Sequence, residues 1–274
     1  MKNNSVCYLS VLLILIVCAL PAQAEERGWI FSGRFNGSSN SSGLILKADP
    51  TVGYNFNKSF QAYAGVPFYF VNPSSNSSTA TSSTTTVNGS MNGIGNAYGG
   101  IRFGLDGESV DFSSNLELTA PTGDTDRGFS TGHATVDWTN SISHSFSSVR
   151  PFATVGLANS VSDTAFFVRP FSSLGFVSHF EGGATVALTG PFRAGASAYG
   201  VQAAGEQRII SKVKGRGQGS GSVGSSDLVN DHGFSTWLSV LPASSNVNFQ
   251  IGYSRSVNYD LNSLSFGVGF RIGK

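Results

Sequence analysis

From Trp29 onward, apolar and polar positions alternate. Trp29, Phe31 and Phe35 interleave with Ser32 and Arg34, and Leu44, Leu46, Ala48, Val52, Tyr54 and Phe56 interleave with Lys47, Asp49, Thr51 and Asn55. The same period of two recurs opposite Gln61, Tyr63 and Tyr69, then around Arg102, Asp111 and Glu117. It returns around Asp137, Ala153 and Thr154, through Leu174, Phe176 and Phe180 opposite His179 and Glu181, and around Arg193. Phe234 to Val240, Val247 to Tyr253 and Leu264 to Ile272 complete the series. Successive strand side chains point to opposite faces, so the pattern predicts about twelve strands, each with one apolar and one polar face.

The connections differ in length. Asn57-Lys58-Ser59, Asp106-Gly107-Glu108 and Thr189-Gly190-Pro191 are tight, as are the turns near Ser147 and Ser245. Two stretches, near 72–92 and 203–231, are long and rich in Ser, Thr, Gly and Asn. An even strand count with short turns at one end and long loops at the other predicts an all-β fold, a transmembrane up-and-down antiparallel β-barrel. Such a barrel sits in a bacterial outer membrane, with lipid on its apolar face and the long loops extracellular. A soluble β-sandwich also alternates, but its outer face would carry many charges.

Composition narrows the choice. Charged residues are 12% of the chain, against about 25% in soluble domains. Mean hydropathy is nonetheless only +0.01. Beyond residue 24, no apolar run approaches the roughly 18 residues of a transmembrane helix. Gly (34) and Phe (21) are abundant. A net charge of +1 argues against nucleic acid as a partner. At the start, Lys2, the apolar run from Leu9 to Leu20 and Ala22-Gln23-Ala24 predict a secretory signal peptide over residues 1–24, leaving 25–274 as the barrel. Cys7 and Cys18 both fall in that segment, so the barrel itself has no disulfide.

The polar faces supply the candidate lumen. It would hold Arg34, Lys47, Arg102, Arg150, Arg193 and Arg271 together with Asp49, Asp111, Glu117, Asp137 and Glu181, and His179 as a satisfied histidine. Six cations against five anions suit cross-strand bracing better than a strongly ion-selective lining. The stretch LTAPTGDTDRGFSTGHATVDW, from Leu118 to Trp138, reads as a hairpin cap at the pore mouth. Pro121 ends the ladder, Gly123 permits a turn, and Asp124 and Asp126 are two carboxylates without the full ligand set of a calcium site. The basic run Arg208, Lys212, Lys214 and Arg216 reads either as a contact for lipopolysaccharide phosphates or as a solvated loop. His133, His144, His179 and His232 show no triad spacing, so no catalytic residues are assigned and no enzyme is expected. No metal cluster, dinucleotide loop or other cofactor motif is present.

Three stretches resemble one family of outer-membrane barrels, known as "MetA pathway of phenol degradation" proteins and often labelled transporters. They are Val52–Phe70, Gly93–Leu105 (with Asn96 where Asp is usual) and Leu118–Trp138 (with Ser130 in place of a Gly). The last strand, ending Phe270-Arg271-Ile272-Gly273-Lys274, resembles the aromatic-rich closing strands of such proteins but runs past Phe270. The resemblance implies an outer-membrane channel passing small hydrophobic or aromatic solutes. A closed-lumen structural or surface-interaction protein and a lipid hydrolase are the alternatives. On the bracing reading, Glu117→Ala lowers thermal stability without altering conductance. Altered conductance with unchanged unfolding would contradict it.

Overall fold

The computed structural model describes residues 27–41, 43–73, 90–164, 166–212, 222–241 and 246–272, with the side chains of Ser222 and Arg271 excepted. The predicted signal peptide and the middles of both long loops lie outside these residues.

The alternating stretches form fifteen strand segments. They are β1 (Gly28–Asn40), β2 (Gly43–Asn55), β3 (Phe60–Gly65), β4 (Phe68–Pro73), β5 (Met91–Ile94), β6 (Tyr98–Asp106), β7 (Val110–Thr119) and β8 (Thr135–His144). They continue with β9 (Val149–Ala158), β10 (Phe171–Ala187), β11 (Phe192–Ser211), β12 (Ser222–Gly224), β13 (Asp231–Val240), β14 (Val247–Ser256) and β15 (Leu261–Ile272). Twelve staves result, because β3 with β4 and β5 with β6 are single staves interrupted at 66–67 and 95–97, and β12 is a strip beside β11. All pairings are antiparallel. Strand β1 pairs with both β2 and β15, so the sheet is a closed barrel.

Both described chain ends and the connections after β2, β6, β8, β10 and β13 gather at one end, where turns are short. The opposite end carries the connections 120–134 and 159–170, the ends of β4, β11 and β12, and the short turn after β14.

Burial is inverted relative to a globular domain. Phe31, Leu118, Val155, Phe180, Ile251, Leu264 and Ile272 are all exposed on the outside, whereas Ser38, Ser197, Ser235, Ser254, Ser263 and Ser265 are buried. A sandwich would bury the first set and expose the second. An apolar exterior around a polar interior is stable where the surroundings are themselves apolar. Trp29, Tyr54, Phe56 and Phe60 form an edge-contact aromatic chain at the short-turn end, the position of an interfacial girdle.

The abundance of Gly and of aromatic residues has one shared cause. Gly33 faces Phe270, Gly37 faces Phe266, Gly100 faces Tyr63, Gly195 faces Trp237 and Gly200 faces Phe180 across the ladder. In each pair the ring lies where a Cβ would be. The missing side chain lets the ring lie against the partner strand, which covers the backbone.

One loop boundary differs from the expectation. The stretch 203–231 is not irregular from its start, since β11 continues to Ser211. The register slips between Leu174 and Phe176 of β10, and Gly205 takes up the extra length at φ +74°. The bulge turns Gln207 inward, and its buried amide donates to the Phe176 and Ala204 carbonyls. Small and polar residues on both faces hide this strand from a search for apolar alternation.

In lipid vesicles, Ile251→Arg on the outer face should lower the unfolding free energy by about 2–4 kcal/mol. Gln250→Arg on the inner face should cost less than about 1 kcal/mol. Denaturant titration of the two variants measures both.

Candidate functional site: a capped lumen

Three of the cavities among the described residues are lined by the polar faces of the staves. Arg34, Asp49, Arg102 and Glu117 line one of about 580 Å³, with Tyr63 and Tyr98. Arg102, Asp111, Arg150 and Arg193 line a second, of about 770 Å³, which includes Asn57 and Lys58 of the short β2–β3 turn. Asp137, His179 and Glu181 line a third, of about 330 Å³, which also touches Glu117. Lys47 is directed inward near them. The Arg271 side chain lies outside the described residues, although its backbone pairs with Ser32.

Cross-strand register decides which charges meet. Arg34 is opposite Asp49 in the ladder, yet Asp49 pairs with Lys47 at 3.7 Å on its own strand and accepts from the Tyr98 hydroxyl at 2.7 Å. Arg150 pairs with Asp111. His179 Nε2 lies 3.1 Å from Asp137 Oδ1. Glu117 accepts from the Tyr63 hydroxyl at 2.8 Å, and no cation lies within ion-pair distance of it among the described residues. Bracing here is therefore partly ionic and partly tyrosine hydroxyl to carboxylate.

Loops from the long-loop end fold into the barrel mouth. The connection 159–170 crosses the lumen from β9 and β10 to the opposite wall. There Asp163 meets Lys47 of β2 at 3.5 Å and Lys212 beyond β11 at 3.5 Å. Asp163 also accepts from the Arg169 backbone N–H at 2.9 Å. Arg169, only 1% exposed, pairs with Asp231 of β13 at 3.0 Å and donates to the Ser162 carbonyl at 3.2 Å. Tyr199 and Ser256 donate to the same Asp231 carboxylate at 3.1 and 2.7 Å. Between these anchors Phe166 stacks on the inward Trp237, with ring centroids 4.6 Å apart.

The connection 120–134 supplies the other half of the cap. Phe129 is buried and stacks on Tyr69 at 5.3 Å, within a cluster that includes Ile45, Val71 and Val168 of the first loop. Gly128, at φ +76°, lies so close to the Ser211 carbonyl that no side chain fits between them. The two loops and the end of β11 thus close on one another. No residue of either loop lines the two larger cavities.

The mouth residues of this connection are peripheral to the cap. Pro121 is exposed just beyond β7. Gly123 donates its N–H to Asn96 Oδ1 at 3.0 Å. Asp124 is occupied by Arg127, at 3.1 Å, and Asp126 is exposed. No group of three or more potential metal-binding side chains occurs among the described residues. Ser162 donates to Asp137 at 2.9 Å rather than to His179, and no serine hydroxyl is bonded to a histidine among the described residues.

Lys212 corrects the reading of the basic run. It is neither a lipopolysaccharide contact nor a solvated loop residue, since it is buried, pairs with Asp163 and lies 5.1 Å from the Tyr69 ring centroid. A lysine is retained inside because an anion and a ring face replace its hydration. Arg208 reaches His133 at the rim, and Lys214 and Arg216 lie outside the described residues.

Burial alone would raise the Asp163 carboxyl, but Lys212 and Lys47, with the Arg169 N–H, pull it from 3.8 down to about 2. Its contribution to stability is therefore complete above about pH 4 and is lost as pH falls through about 2.

The barrel is similar to an outer membrane channel from Pseudomonas putida F1, with 11% identity and a TM-score of 0.59 over 93% of this chain and 97% of that one. It is also similar to the NanC porin (9% identity, TM-score 0.48, 88% and 99% covered). A further similar structure is the CymD monoaromatic hydrocarbon channel (8% identity, TM-score 0.44, 91% and 89% covered). At these identities the likeness is one of fold alone, a closed antiparallel β-barrel. No family model and no curated protein matches the sequence.

If the Asp163 clasp holds the cap, loop 159–170 should stay protected from amide hydrogen exchange at pH 5. Acid pulses should expose it as pH drops from about 4 towards 2. Protection unchanged at pH 2 would contradict the clasp. Phe129→Ala, which empties a buried aromatic site, should loosen the cap by about 3–5 kcal/mol, measured as faster proteolysis within 120–134.

Proposed function

We propose that this chain is an outer-membrane channel for small solutes, held shut at its long-loop mouth by the Asp163 clasp. The observation that carries this reading is the division of the lumen. Polar cavities of about 580 and 770 Å³ lie beneath a cap made of loops, not of barrel wall. Loops held by side-chain contacts, ion pairs and stacked rings, can leave without breaking the hydrogen-bonded ladder. The apolar exterior and the aromatic girdle support placement in the outer membrane, with lipid as the surrounding partner. Arg208 at the rim is a candidate lipopolysaccharide contact.

The solute class we assign is small hydrophobic or aromatic compounds. Support comes from the resemblance of Val52–Phe70, Gly93–Leu105 and Leu118–Trp138 and from the aromatic side chains of the cap, Tyr69, Phe129, Phe166 and Trp237. A second reading, a permanently closed barrel whose loops bind partners, draws on the full burial of Arg169 and its pairing with Asp231. A fixture of that kind is costly to open.

Planar-bilayer recordings separate the two. Wild-type protein should show rare openings, and Asp163→Asn should raise the open fraction at least about tenfold, the effect of roughly 1.4 kcal/mol lost from the closed state. Heat-modifiable gel mobility confirms that the variant is folded. Silence from both folded proteins would support the closed barrel instead.

A further inference from the structure

The lumen charges balance in number but not in place. Arg34 and Arg102 line the cavity of about 580 Å³, and no carboxylate lies within ion-pair distance of either among the described residues. The two acids of that cavity are already engaged. Asp49 holds Lys47 and the Tyr98 hydroxyl, and Glu117 holds the Tyr63 hydroxyl. Of the other inward acids, Asp137, Asp163 and Glu181 gather around the smaller cavity beneath the cap, while Asp111 is taken by Arg150. Arg102 also lines the cavity at the short-turn end, together with Arg193, which is likewise without an acid partner among the described residues. The way through the barrel therefore runs from an acid-rich level under the cap to a base-rich level below it.

Two aromatic rings complete the site. Tyr63 and Tyr98 meet edge to face, with centroids 6.2 Å apart. Because their hydroxyls are spent on Glu117 and Asp49, what remains for a guest is ring carbon. A guanidinium is a planar fork of donors that matches a carboxylate, and it is weakly hydrated, so it exchanges water for such a partner readily. The cavity volume falls within the range of about 300–1,000 Å³ typical of small-molecule sites.

We propose that this cavity is a binding site for a small aromatic carboxylate, with the carboxylate on the Arg102 fork, the charge of Arg34 in the same cavity, and the ring against Tyr63 and Tyr98. The site gives the channel proposed above its solute class and rests on that reading for its role, but it binds whether or not transport follows. The acid-rich level beneath the cap resists passage of the anion in either direction, so entry from the mouth and return to it are slowed alike. Arg193 offers it the next cationic position at the short-turn end.

Equilibrium dialysis of benzoate, benzyl alcohol and benzylamine against the detergent-solubilised full chain reads the site directly. Benzoate should bind at least about tenfold more tightly than the isosteric alcohol, and the amine least tightly. The double substitution Arg34→Gln/Arg102→Gln should remove the preference for benzoate and leave binding of the alcohol within about twofold. Arg102→Lys, which keeps the charge but not the fork, should weaken benzoate by an intermediate factor, and it serves if the double variant does not fold. Benzoate bound no better than the alcohol, or full preference surviving in the folded double or lysine variant, would overturn the assignment. Liposome uptake of benzyl alcohol distinguishes this outcome from failure of the channel reading. Uptake without benzoate preference leaves the channel and removes the site, whereas benzoate preference without uptake leaves the site and removes the channel.

Discussion

Closure of β1 onto β15 is the constraint on which the molecule depends. An open sheet with this exterior would leave two rows of backbone N–H and C=O groups unpaired in an apolar environment, each costing several kcal/mol. The ladder from Phe31↔Ile272 to Ser39↔Leu264 removes both rows at once. With the backbone satisfied, the side chains are free to sort by surroundings. Rings and branched aliphatics point out, and Ser, Tyr and the charges point in. The recurring glycine opposite an aromatic ring belongs to the same solution, since it lets large rings lie against a sheet that has no packed core to hold them.

The interior then becomes a place where ion pairs decide structure. The loop 159–170 buries Val161, Phe167 and Val168. It is fixed at three further points: Asp163 on Lys47 and Lys212, Arg169 on Asp231, and Phe166 on Trp237. Buried ion pairs gain little net stability over a packed apolar contact, but they are demanding about geometry and costly to leave half made. A cap built from them has well-defined closed contacts that a change in charge can release. The wall around it relies chiefly on the hydrogen-bonded ladder, with Arg150–Asp111 and Lys47–Asp49 as ion pairs of its own.

Alternation made the wall legible before any coordinates. A period of two locates strands such as Leu261–Ile272, and the polar sides of those strands hold the residues that line the cavities. Three features were not legible. Phe166-Phe167-Val168 is a short apolar run without a period, and its partners, Trp237 and Tyr69, lie far away in sequence on other staves. Lys212 sits among Ser, Gly and basic residues, so its composition matches a solvated loop although its partner is Asp163. Pairing within the lumen was the third. Alternation assigns Arg34, Asp49 and Lys47 to the inside but cannot say that Lys47 takes Asp49 and leaves Arg34 without an acid. The one available hint of the cap was its composition: Phe-Phe-Val followed by Arg-Pro is unusual between two strands whose other connections are polar.

The central claim is that the outer apolar face meets acyl chains while the polar face encloses the lumen. Tryptophan supplies internal probes on both sides, because Trp138 is exposed outside and Trp237 points inward against Phe166. Single-tryptophan variants reconstituted with lipids brominated along the acyl chain test the claim most directly. The account predicts strong quenching of Trp138 and none of Trp237. Equal quenching of both, or a protein that remains in water with Trp138 shielded, would contradict it.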